Sequence, residues 1–79
     1  MDDGEKLKQL THTQYDALEA AITHSRRVSI YRRGTEYVGI PQRIFQDGQR
    51  EAVSVLHPTT GSEITVHLDE IEHLDVLTR

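Results

Sequence analysis

The sequence predicts a mainly β domain: one N-terminal helix followed by a small barrel of five to six antiparallel strands. Three observations point there. The apolar period switches from helical to alternating at Val28, glycine-bearing turns then separate short alternating runs, and 79 residues are too few for two packed sheets. A chain of this length is one domain at most and buries only about 60% of the surface its unfolded form exposes, so its core is thin.

Residues 1–12 alternate charge and polarity without an apolar period and are read as a flexible N-terminal segment ahead of a folded unit at 13–79. Thr11 or Thr13 can cap a helix. Thr11 with Gln14 makes the T-x-x-Q capping pattern, while Thr13 would set Asp16 in the first turn near the positive end of the dipole. A helix is therefore expected from about Gln14. Tyr15, Leu18 and Ile22 recur at i, i+3, i+7 as one apolar stripe, and Asp16, Glu19 and Thr23 fall opposite. His24, Ser25, Arg26 and Arg27 close the segment, where cations meet the negative helix end. About ten helical residues are marginal alone and must pack on something.

In Val28–Tyr31, Val28 and Ile30 face one way and Ser29 and Tyr31 the other. Arg32–Thr35 supplies a hairpin turn with Gly34 free to take positive φ. A second strand runs from Glu36 to Ile40. Pro41 cannot donate to a ladder, so that strand must end, bulge or lie on an edge there; Gly39 suits a bend, and Arg43–Phe45 reads as a short third strand. The Asp47-Gly48 pair marks a tight hairpin, with Val53 and Val55 on one face of the strand that follows. His57–Gly61 is another turn. Ile64, Val66 and Leu68 alternate with Thr65 and His67, and Leu68–Ile71 turns into a last strand ending with Leu74 and Val76. A curled sheet solves the edge problem, with the helix covering one open end, which is the plan of an SH3-like or Sm-like barrel.

Composition narrows the function. With no cysteine there is neither a disulfide framework nor a thiolate metal site, apolar runs never exceed four residues, and the opening is too polar for a signal peptide. A soluble, cytoplasmic monomer without membrane contact is expected. The formal charge of −4 has the wrong sign for a protein held on phosphates by counterion release. It is unevenly spread: Arg26, Arg27, Arg32 and Arg33 lie within eight residues, whereas Ser62–Leu77 carries Glu63, Asp69, Glu70, Glu72 and Asp75 with no Lys or Arg.

The small barrel leaves little room for a catalytic cleft, and no catalytic residue, metal site or cofactor is expected. His12, His24, His57, His67 and His73 show no metal-ligand spacing and read as surface or turn residues. A convergence of His67, Asp69 and His73 across a hairpin is the one arrangement that would change this. Asp69 itself reads as a turn residue bonded to nearby backbone amides. The glycines are scattered over separate turns, so no phosphate loop exists. Direct nucleic-acid binding is the alternative: Tyr31 and Tyr37 beside Arg26, Arg27, Arg32 and Arg33 supply aromatics and cations in the mixture that binds single strands.

The stretch YDALE at 15–19, then Ala21 and His24, a Val-x-Ile strand, the turn at Gly34, Val38-Gly39, REAVSV at 50–55 and HLDEI at 67–71 resembles the Rof family of Rho-binding antiterminators. The likeness covers about residues 13–77 in the same order. It implies a small Sm-like fold and a non-enzymatic inhibitor of Rho-dependent transcription termination that occupies the RNA-loading surface of the Rho hexamer. Carried over, Asp16 and Glu19 match the helix carboxylates, with Thr23 on the same face. The turn at 45–50 matches a family loop that also meets Rho, adding Asp47, Gln49 and Arg50. A second resemblance is to WYL domains, which share the helix-then-barrel order and imply a nucleic-acid-binding or sensor role.

Overall fold

A computed structural model describes residues 10–77. Helix α1 (His12–His24) precedes five strands, β1 (Val28–Arg32), β2 (Thr35–Asp47), β3 (Arg50–Leu56), β4 (Glu63–His67) and β5 (His73–Val76), with a 3₁₀ turn at Leu68–Glu70. The fold is mainly β with one N-terminal helix, as expected, and the strands number five. Among the described residues no helix is long and apolar enough to cross a membrane.

The capping box settles where α1 begins. Thr11 Oγ1 accepts from the Gln14 amide at 3.1 Å and Gln14 Oε1 accepts from the Thr11 amide at 3.1 Å, so the helix starts two residues earlier than Gln14. Leu10 packs on the core ahead of it. Folded structure thus reaches into the stretch read as flexible; the rest of that reading, residues 1–9, lies outside the described residues, as do 78–79. The helix ends at Ser25, which turns left-handed (φ 54°), and the Arg26 amide donates back to the Ala21 carbonyl at 2.9 Å.

All strands pair antiparallel in the order β4-β3-β2-β1-β5. β2 does not stop at Pro41. Its first part pairs with β1 (Val28 opposite Gly39) and its second with β3 (Ile40 opposite Leu56), with a register shift between Pro41 and Arg43. The expected second and third strands are therefore one 13-residue strand bent at a bulge, where a residue lacking an N–H is tolerated. Gln42 Nε2 donates to the Ile40 carbonyl at 3.1 Å within the bend.

The sheet curls without closing into a barrel, because β4 and β5 are its two ends and do not pair with each other. The curl is strong: Arg32 at the end of β1 reaches the Thr65 carbonyl on β4 at 3.5 Å, although β2 and β3 intervene in the sheet order. Leu18 and Ala21 of α1 close the core with Val28, Ile30, Val53, Val55, Val66, Leu68, Ile71 and Leu74. Curvature also buries two serines that alternation would put outside. Ser29 donates to Glu36 Oε2 at 2.6 Å and Ser54 to Glu63 Oε1 at 3.1 Å, each a diagonal cross-strand partner.

Candidate functional site

Asp16, Glu19 and Thr23 share one stripe of α1 and are all exposed, opposite the buried Leu18 and Ala21. Among the described residues neither acid has an ion-pair partner. Tyr15, next to this stripe, is half-buried and directs its hydroxyl at Glu51 Oε2, 3.5 Å away. Partial burial, followed by the charges of Glu51 and Glu19, pushes that hydroxyl above its ordinary pKa. The β2–β3 hairpin comes up beside the first turn of α1, and a cavity of about 270 Å³ separates them, bounded by Tyr15, Gln49 and Glu51 among others.

The hairpin residues are differently employed. Asp47 Oδ2 sits 2.8 Å from His67 Nε2, and Gln49 is exposed at the tip. Arg50 forks onto Asp69 through Nε–H to Oδ2 at 3.1 Å and Nη2–H to Oδ1 at 2.7 Å, and also reaches Glu70 Oε2 at 2.9 Å. Glu70 further draws Arg33 at 3.4 Å and Arg32 at 3.6 Å. The 3₁₀ turn thus gathers three arginines from separate strands and turns. Asp69 was expected to bond nearby amides, but its main partner is the Arg50 guanidinium, a bidentate match no backbone amide can offer.

Hydrogen bonds from Arg50 hold both the Asp69 and Glu70 carboxyls below the usual carboxylate range, and raise the pKa of Arg50 in return. A depressed folded-state pKa contributes stability above the unfolded value, roughly 4 for these groups, that is lost as pH falls through the folded value. Urea midpoints of the wild type are thus expected to fall from pH 7 towards pH 3, and Arg50→Gln to fall less over that window while starting lower. Parallel curves for the two proteins would show that the cluster carries no acid sensitivity.

The residues proposed for nucleic acid fall into two groups at the two ends of β1. Arg26 and Arg27 precede β1 and Arg32 and Arg33 end or follow it, so five strand residues hold the pairs roughly 16 Å apart. Arg32 lies over the Tyr37 ring (4.9 Å to the centroid) and donates to its hydroxyl at 3.3 Å, while Tyr31 meets His73 edge-on at 5.8 Å. The Tyr37 face and two of the cations already have partners within the fold. The histidines do not converge either. His67 bonds Asp47, His73 bonds Asp75 at 3.0 Å, and no metal-holding group of His, Asp or Glu occurs among the described residues.

The arginine–carboxylate cluster and the Tyr15–Glu51 contact were missed from sequence. Their partners are 19 to 38 positions apart, and no local spacing signals them. Searches with the chain match no protein-family model and no curated protein.

Proposed function

We propose that this protein is a Rof-like antiterminator that docks on the Rho hexamer through the outward stripe of α1 and obstructs its RNA-loading surface, with Asp47 and Gln49 of the adjoining hairpin as flanking contacts. The observation that carries this reading is the pair of exposed acids, Asp16 and Glu19, which have no ion-pair partner among the described residues, while Arg32, Arg33 and Arg50 are drawn onto Asp69 and Glu70. A surface that attracts phosphates attracts carboxylates as well. The excess charge also lies in the described residues: residues 10–77 hold ten acids and six arginines, and the remaining residues hold three of each sign.

Because exposed ion pairs contribute roughly 0.2–1 kcal/mol each, a single neutralisation weakens the complex only a few-fold. Reversal is more severe, since like charges brought together at an interface cost several kcal/mol. Asp16→Lys combined with Glu19→Lys is expected to reduce Rho affinity by more than about 100-fold without loss of the folded state by circular dichroism. Retained affinity in a pull-down would remove this face from consideration. A Rho-dependent termination assay should show read-through with added wild type and none with the double variant.

A further inference from the structure

We propose that the cavity between α1 and the β2–β3 hairpin receives a single lysine or arginine side chain from the protein that docks on the helix stripe, and this rests on the function proposed above. At about 270 Å³ the cavity falls below the roughly 300–1,000 Å³ typical of small-molecule sites, which suits one side chain better than a metabolite. Leu10 and Leu68 give it apolar walls, Gln46 and Gln49 line it with amides, and Glu51 supplies a carboxylate. A long aliphatic stem ending in a cation matches that distribution, stem against the leucines and head at the carboxylate.

Charge decides between cation and anion. Arg50 and Asp69 also line the cavity, but they are paired with each other: both Asp69 oxygens are engaged by Arg50, whose charge is offset there and at Glu70. Among the described residues, Glu51's side chain has only the long 3.5 Å contact from the Tyr15 hydroxyl. An apolar side chain inserted here would strip water from Glu51 and return nothing, and a neutral donor would leave its charge unmatched, whereas an ammonium or guanidinium gives it a charge-assisted hydrogen bond. Burial first, and then the charges of Glu51 and Glu19, hold the Tyr15 hydroxyl above its ordinary pKa, in keeping with carboxylates gathered at this mouth. Since Tyr15 adjoins Asp16, the occupant and the helix stripe would meet one and the same partner surface.

Titration of the full chain with Nα-acetyl-lysine methylamide, followed by amide chemical shifts, tests the cavity directly. Shifts are expected to concentrate at residues 10, 15, 46–51 and 68, to weaken about tenfold in Glu51→Gln, the scale of one charge-assisted hydrogen bond, and to be absent with the norleucine analogue. Shifts scattered over the acidic surface, or unchanged in Glu51→Gln, would overturn the proposal. With Rho, Glu51→Gln is expected to bind several-fold more weakly than wild type. If it binds equally while the Asp16→Lys, Glu19→Lys protein does not, the cavity proposal fails and the helix-face reading stands. If the wild type ignores Rho, the helix-face reading fails, and the lysine titration decides the cavity alone.

Discussion

Alanine at position 39 is expected to destabilise the domain by about 3 kcal/mol or more, the upper part of the range for overpacking. A Cβ built on Gly39 would lie 2.6 Å from Val55 Cγ1 and 2.7 Å from the Leu56 carbonyl oxygen. The first clash involves a short β-branched side chain with few alternatives in a strand. The second involves backbone that is held in the ladder with Ile40 and so cannot retreat without disturbing the sheet. Gly39 is also where β2 leaves β1 and joins β3, so its environment is crowded from two ladders at once. For a domain of this size each kcal/mol is worth roughly 4–8 °C in Tm, and a thermal melt of Gly39→Ala should fall by more than about 10 °C. Adding Val55→Ala should recover none of the fall due to the carbonyl contact. A Gly39→Ala protein that melts within a few degrees of wild type would mean that the bend is not closely packed.

Leu18→Ala is the second large effect. Leu18 is fully buried and is the larger of the two α1 side chains, with Ala21, that are buried in the core. Truncating such a leucine costs about 2–5 kcal/mol, from lost transfer energy and the cavity left behind, against a total of roughly 4–12 kcal/mol for 79 residues. The loss falls on the helix in particular, because 13 residues do not hold a helix in water without packing. Loss of helical circular dichroism at lower temperature than the sheet signal, and weaker Rho binding although Asp16 and Glu19 are intact, are the expected readouts. Leu18→Met, which conserves volume, should cost less than about 1.5 kcal/mol. Equal stability of the alanine and methionine variants would place Leu18 outside the core.

Much of this architecture is legible in the sequence, for reasons that are local. Thr11 and Gln14 specify a helix start because both hydrogen bonds of the capping box are made within four residues. The Arg33-Gly34 and Asp47-Gly48 turns are legible because positive φ is costly for most residues, and Gly34, Gly48 and Gly61 all adopt it (76°, 67° and 80°). The stripe Asp16, Glu19, Thr23 follows from helical period alone. What was not legible depends on partners far along the chain. Pro41 leaves open whether the strand ends, bulges or lies on an edge, and only its pairing with Val55 shows that β2 runs on through a bulge. Ser29 and Ser54 read as outward positions until curvature brings Glu36 and Glu63 over them. The cavity beside Tyr15 depends on how closely a helix approaches a hairpin more than 30 positions away, which no periodicity encodes.

A strand that serves two ladders has a mechanical consequence. Because β2, among the described residues, is the one strand that pairs both with the β1–β5 side of the sheet and with the β3–β4 side, neither side possesses a complete template of its own, and separating one frays the backbone on which the other is registered. The sheet has no internal seam along which to come apart, so its two halves are obliged to assemble and to melt as a single cooperative unit.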